Sequence, residues 1–246
     1  MYIYYLLPVC LQVDSLKYLS YCSVKYGADR MAKHAKAIWS LLKEELSTSL
    51  KEASESFPSE SVDGLGFQEN EIGAEALVLL ETIVKQNNEL LLSLIVDDED
   101  ISSIFNTISS YGTYKDIPFQ GKQRLHVVGR ILYITAKTSI ASCNRILEIF
   151  FPGLVVILQR SMRKSSMDLN FGALYLCTEL LAACRDLILC SRKLSSNTIS
   201  AREACFHTIQ SSRVTLISVL CSTLATTTNE VLDVDYYFRG KFFSFI

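Results

Sequence analysis

Apolar residues recur along most of this chain at intervals of three and four, the period expected of helices that bury one face. Residues 13–26 carry one such stripe, and the Gly27 that follows suits the left-handed conformation that ends a helix. A second stripe runs from Met31 to Leu50. Because the connection is short, the pattern predicts two helices packed antiparallel as a hairpin.

The same periodicity continues downstream, whereas strand signals are few. It predicts helical segments over 72–83, 88–96, 101–111, 122–138, from Ser139 to a bend or break at Pro152, 168–189 and 201–223. The segment 168–189 is apolar nearly all round, so we expect neighbours on several of its sides.

Helix pairs begin near residues 13, 70, 121 and 166, at intervals of roughly 45 to 57 residues, close to or above the HEAT and armadillo period of about 40 to 47. The predicted fold is therefore an all-α, HEAT/armadillo-type helical-repeat solenoid, in which each pair buries its apolar faces against the next. The repeat segment spans 13–225. A surface loop rich in Ser, Gly and acidic residues interrupts it at 54–68.

Charge and cysteine usage narrow the class of protein. The net charge of −2 argues against a chain built to neutralise nucleic-acid phosphates. The basic runs at 159–164 and 192–193 are interpreted as the C-terminal ends of helices. Eight cysteines form no C-x-x-C pair, and no glycosylation sequon occurs, which favours a reducing intracellular compartment. Cys177 and Cys184 lie seven residues apart, so they are predicted to share a buried helix face.

No membrane segment is predicted. The apolar opening at 1–12 lacks the positive region of a signal peptide, and the apolar run 149–158 is too short to span a bilayer.

Catalytic and metal-binding signatures are weak. Cys205 and His207 are the nearest approach to a ligand pair, but their i, i+2 spacing points them to different faces of a helix. The acidic run 97–100 lacks the spacing of a calcium loop and is interpreted as helix-start charge. The carboxylates at 44–45 and at 69, 71 and 75 are interpreted as solvated faces. No catalytic, cofactor-binding or metal-ligating residue is assigned, and enzyme activity is the weaker hypothesis.

Several strings are similar to one known family. They are residues 14–16, 24–27, 37–39 with 44–45, 71–77, and 122–187 including Asn144–Leu147 and Phe151–Leu154. Over roughly residues 13–213 the chain resembles the MMS nineteen family of nucleotide excision repair proteins, and plant members in particular. This family consists of HEAT-repeat scaffolds named for methyl-methanesulfonate sensitivity.

The resemblance implies a non-catalytic adaptor of the cytosolic iron-sulfur assembly targeting complex, found in the cytoplasm and nucleus. Its partners would be a WD-repeat assembly protein, a small assembly partner, and client iron-sulfur helicases and polymerases, with no cofactor of its own and no direct nucleic-acid contact. Residues 1–12 and 226–246 match nothing in the family. They are interpreted as gene-model read-through at the ends of a fragment of a longer chain.

Two other hypotheses stay open. A generic HEAT-repeat scaffold in transport or signalling would have the same structure, and only the identity of its partners would separate it. An enzyme or metal protein using Cys205 and His207 would carry bound metal after purification, which elemental analysis would detect.

Overall fold

The computed structural model describes residues 7–56, 67, 69–86, 89–111, 116–164 and 170–191, together with residues 207, 209, 210 and 218. Every regular element in these ranges is an α-helix, so the predicted all-α class is confirmed. The helices are α1 (Val9–Ala32), α2 (Ala35–Ser56), α3 (Glu71–Lys85), α4 (Glu89–Val96), α5 (Glu99–Ser110), α6 (Phe119–Thr138), α7 (Ile140–Lys164) and α8 (Phe171–Ser191).

The chain divides into two compact units. The first extends to Asp98 and contains α1 to α4, and the second begins at Glu99 and contains α5 to α8. Within each unit, helices close in sequence pack against one another, and the most extensive contacts join α1 to α3 and α6 to α8. Packing between near neighbours along the chain is consistent with a helical-repeat solenoid.

In the first unit α3 is the central helix. Both α1 and α2 pack against it, and α2 also packs against α4. The predicted hairpin of α1 on α2 is therefore wrong in its main contact, because each of these helices directs its buried face to α3. Gly27, with a φ of 76°, does interrupt the helical backbone where the sequence predicts it. After Gly27 the chain is helical again and α1 continues to Ala32, so Met31, which the sequence assigned to the second helix, is buried on α1.

The predicted stripes are largely confirmed in this unit. On α2 the buried apolar side chains are Ala35, Ile38, Trp39, Leu42 and Leu46. On α1, Val13, Leu16 and Ser23 are buried, whereas Tyr26 is 45% exposed and does not belong to the buried face. The N-terminus of α3 is capped by Asn70, whose side chain accepts a hydrogen bond from the Gly73 amide at 2.9 Å.

In the second unit α6, α7 and α8 pack against one another, and α5 contacts all three. Helix α8 is buried continuously from Gly172 to Cys184, as its all-round apolar pattern predicts. Helix α8 approaches α6 closely at Gly129. A methyl group added at this glycine would lie only 2.6 Å from Cε1 of Tyr175. The aromatic ring therefore packs on bare backbone.

The sequence predicts that α7 is bent or broken at Pro152. The helix is not broken there but continues through the proline. The carbonyl that loses its N–H partner belongs to Glu148, four residues before Pro152, and Glu148 is exposed, so water can reach it. By length and composition alone, this helix could cross a membrane over Ile140–Arg163, and 44% of its apolar stretch is buried inside the fold. Its packing against α6 and α8 is that of a core helix.

Several boundaries predicted from the sequence agree only in part with the helix bounds in the structure. The expected limit between residues 12 and 13 falls inside α1, whose first residue is Val9 after Pro8. Helix α2 extends to Ser56, three residues into the predicted loop, and residues 57–66 lie outside the described residues. Most of the predicted helix 201–223 and all of the tail 226–246 also lie outside them. The interpretation of both ends as read-through stays a prediction.

Candidate interaction surface

The acidic run that ends α4 and begins α5 has two separate roles. Glu99 and Asp100 lie in the first turn of α5, where negative charge favours the helix dipole, as predicted. Asp100 also lies 3.7 Å from Nη2 of Arg124. Asp98 is different, because it is buried and only 8% exposed. The run therefore includes one structural carboxylate that sequence reasoning missed.

Asp98 is held by two residues of α2. The indole Nε1 of Trp39 donates to its Oδ2 at 2.8 Å, and Nζ of Lys43 lies 2.8 Å from the same oxygen. Trp39 and Lys43 are four residues apart and so share one face of the helix. A cation and an N–H donor satisfy the buried charge, which fastens the end of α4 to α2.

A second carboxylate cluster joins α6 to α8. The hydroxyl of Tyr133 donates to Oδ2 of Asp186 at 2.6 Å, and Nε of Arg185 donates to Oδ1 at 2.8 Å. Arg130 and Lys137 lie over the Tyr133 ring at 5.4 and 5.2 Å from its centroid.

This cluster shifts two pKa values. Burial, together with the hydrogen bond to Asp186, holds the pKa of the Tyr133 phenol well above its usual value. Burial alone would raise the pKa of Asp186. The hydrogen bonds from Arg185 and Tyr133 outweigh burial, so the pKa of that carboxyl lies below its usual value.

The remaining carboxylates considered from sequence do not converge on one another. Glu44 and Glu71 are exposed, and Glu69 and Glu75 are partly exposed, as a solvated face predicts. Glu45 departs from that interpretation because it is 2% exposed.

The cysteines behave as small apolar residues wherever the structure describes them in the core. Cys177 and Cys184 are buried on α8 as predicted, and burial raises the pKa of the Cys177 thiol. The Sγ atoms of Cys143 and Cys184 lie 3.5 Å apart, a contact between α7 and α8 that sequence spacing could not reveal. Cys205 lies outside the described residues, and His207 is exposed. Among the residues that the structure describes, no three His, Cys, Asp or Glu side chains are grouped as metal ligands.

The outward face of α1 is the most unusual surface in the described chain. Six large apolar or aromatic side chains on this one helix are substantially exposed, namely Val9, Leu11, Tyr18, Tyr21, Val24 and Tyr26. Two of the aromatic rings, those of Tyr18 and Tyr21, stack with their centroids 6.5 Å apart. Nζ of Lys25 lies 5.5 Å from the Tyr21 centroid and 5.8 Å from that of Tyr26.

A side-chain hydrogen bond with Cys22 raises the pKa of Tyr18 on the same helix.

Exposed apolar clusters such as the one on α1 mark interaction surfaces in folded proteins. Sequence periodicity gave a partial signal for this face, since Tyr18, Tyr21 and Val24 fall outside the stripe assigned to the core of α1.

The described residues form helices that pack against near neighbours in sequence, and they contain no strand. These features place the chain in the class of all-α helical-repeat proteins. A particular relative is the curated MMS19 nucleotide excision repair protein homolog of Arabidopsis thaliana. It is 40% identical over 247 aligned positions, which cover 96% of this chain and 21% of the relative.

The predicted resemblance to the MMS nineteen family is confirmed, and the chain spans about a fifth of the length of that relative. The aligned share is wider than residues 13–213, over which the resemblance was inferred from sequence. No family profile matches the chain, and no solved structure matches it.

Proposed function

We propose that this chain is a non-catalytic scaffold segment of the cytosolic iron-sulfur assembly targeting complex. The observation that carries the proposal is the 40% identity to the Arabidopsis relative across 96% of the chain. That relative is named for nucleotide excision repair. The family resemblance then suggests that repair depends on it indirectly, through iron-sulfur clusters delivered to apo-proteins of repair, replication and transcription.

The fold supports a role in protein binding. Stacked helices offer broad side surfaces, and affinity in such proteins comes from a few anchor residues within them. In the first unit the Trp39–Asp98–Lys43 cluster fixes α2 to the end of α4, which keeps the neighbouring surface rigid. A rigid surface binds with less loss of conformational entropy than a flexible one.

The partners we propose are a WD-repeat assembly protein, a small assembly partner, and client helicases and polymerases. Contact with nucleic acid would be made by those clients, and we place the protein in the cytoplasm and nucleus. In this proposal the clusters are cargo, and the chain carries no resident cofactor.

A chimera tests the proposal in the setting of a complete protein. The matching fifth of the Arabidopsis relative is replaced by this chain, and the tagged chimera is expressed in cells that lack the relative. We expect co-purification of the assembly proteins and a client helicase with its normal iron content. The same relative with the segment deleted is the matched control, and we expect it to leave the helicase depleted of iron.

Two results would contradict the proposal. One is a chimera that folds yet behaves like the deletion control. The other is a tagged form of this chain that purifies with transport or signalling proteins and with none of the assembly proteins, which would favour the generic HEAT scaffold instead. Fluorescence of the tagged chimera in living cells tests the expected distribution between cytoplasm and nucleus.

A further inference from the structure

One line of residues runs along the exposed side of α1 at alternating spacings of three and four. It consists of Leu11, Asp14, Tyr18, Tyr21 and Lys25, and we name it the outer stripe. Leu11, Tyr18 and Tyr21 are 46%, 64% and 58% exposed, and Asp14 and Lys25 are exposed as well. Alternating spacings of three and four define the seam of a two-stranded coiled coil.

The opposite side of the same helix is buried. Leu16 is 0% exposed and Ser23 is 2% exposed, and both lie about half a turn away from the outer stripe. Helix α1 is thus committed to the first unit on one side and presents an aromatic seam on the other. A solvated helix face is normally polar, and this aromatic seam is not.

The charges of the outer stripe are complementary to themselves. A two-fold axis passing between residues 19 and 20 places Asp14 opposite Lys25 of a second copy, at both ends of the contact. The same axis places Tyr18 opposite Tyr21 of the second copy, twice. A parallel arrangement would instead set Asp14 against Asp14 and Lys25 against Lys25, and like charges in contact are repulsive.

We propose that the outer stripe is a homotypic docking surface that binds the outer stripe of a second copy of this chain in antiparallel orientation. Four tyrosine rings form the centre of the contact, and two Asp14–Lys25 ion pairs close its ends. The ammonium of Lys25, which already lies over Tyr21 and Tyr26, gains a carboxylate partner without leaving the rings. The proposal is independent of the iron-sulfur role.

The length of the helical contact indicates a weak association. From Leu11 to Lys25 the helix rises about 21 Å, so the contact is shorter than a typical stable interface. We expect a weak association, with a dissociation constant on the order of 100 µM. The association should weaken further as added salt screens the two ion pairs.

Sedimentation velocity of the full chain tests the proposal directly. Between about 1 and 500 µM protein we expect the average mass to rise from monomer towards dimer. Asp14→Lys and Lys25→Asp should each weaken the association by roughly tenfold or more, because each variant sets like charges against each other at both ends. An equal mixture of the two variants should associate again, since the reversed charges then face each other correctly.

Lys33→Asp provides a matched control. This lysine is exposed in the turn after α1 and lies off the outer stripe, and its replacement changes the net charge as Lys25→Asp does. The control should associate like the wild type, and circular dichroism should show that all three variants remain helical.

Three outcomes would overturn the proposal. A chain that stays monomeric at 500 µM would leave the stripe to a helix of another protein. A mixture of Asp14→Lys and Lys25→Asp that fails to associate would exclude the antiparallel pairing. Equal weakening by Lys33→Asp would show that net charge alone controls the association.

Discussion

In each unit a carboxylate that binds an aromatic donor and a cation joins two helices, but the two carboxylates differ in how far they are exposed. In the first unit Asp98 accepts from Trp39 and pairs with Lys43, and its side chain is 7% exposed. In the second unit Asp186 accepts from Tyr133 and Arg185, and its side chain is 29% exposed. Each carboxylate joins an aromatic donor to a cation.

The difference in exposure decides what each cluster contributes. A buried carboxylate cannot recover its lost hydrogen bonds from water, so removing a partner exposes the full cost of desolvation. A carboxylate near the surface is hydrated when a partner is removed, and pairs of that kind contribute about 0 to 1 kcal/mol. The aromatic donors also differ, because an indole N–H does not titrate and a phenol does.

The largest effect should follow from Trp39→Ala. The side chain is 4% exposed, so its removal leaves a cavity and deprives Asp98 of a donor. We expect the free energy of unfolding to fall by about 3 to 5 kcal/mol, measured by urea denaturation followed by circular dichroism. Trp39→Phe keeps most of the volume and should cost less than half as much. Equal losses for both variants would assign the whole effect to the hydrogen bond.

Next in size is the contrast between Asp98→Asn and Asp186→Asn. Both changes preserve shape and remove a charge. We expect Asp98→Asn to lower the free energy of unfolding by about 2 kcal/mol and Asp186→Asn by less than about 1 kcal/mol. Urea denaturation in low and high salt checks both values, because screening should reduce only the smaller effect. Equal costs would mean that burial does not govern these two clusters.

The alkaline stability of the protein should depend on Tyr133. Because the pKa of this phenol is raised in the folded protein, the unfolded chain loses its proton first as pH rises. The contribution of Tyr133 is therefore complete below about pH 10 and declines above it. Tyr133→Phe should show a shallower fall of the unfolding free energy between about pH 9 and 11.

The matched comparison for that profile is Trp39→Phe, which removes an aromatic donor that does not titrate. Its alkaline slope should equal that of the wild type. A steeper alkaline slope in Tyr133→Phe than in the wild type would contradict the raised pKa.

The smallest effect concerns the acid limb. The pKa of Asp186 is lowered in the folded protein, so its contribution is complete above about pH 4 and is lost as pH falls further. Asp186→Asn should flatten the dependence of unfolding free energy on pH between about pH 2 and 4. Thermal denaturation at each pH would measure it, and an unchanged slope would show that other carboxylates control acid unfolding.

Helical periodicity predicted the helices and most of their buried faces, because burial of one side of a helix leaves a direct trace in the sequence. The stripe of α2 and the fully buried α8 are both confirmed. Ser139 also acts as the predicted cap of α7, since its Oγ accepts from the amide of Ser142 at 3.1 Å.

Contacts between distant segments left no such trace. Asp98 lies 59 residues from Trp39, and Cys143 lies 41 residues from Cys184, and neither distance imposes a pattern on the intervening sequence. The hairpin prediction for α1 and α2 failed for the same reason, since the main partner of both helices is α3. The candidate surface on α1 was only partly foreseeable, because Tyr26 follows the helical period and yet is exposed.

The close contact between Gly129 and Tyr175 has a consequence for how such chains diverge. Neither position can change freely, because a heavier residue at 129 would collide with the ring and a smaller one at 175 would leave a hole. In relatives that keep this arrangement of α6 and α8, glycine and tyrosine should be inherited together. A methyl group added at 129 would force the Tyr175 ring to move and so disturb the packing of α8 on α6.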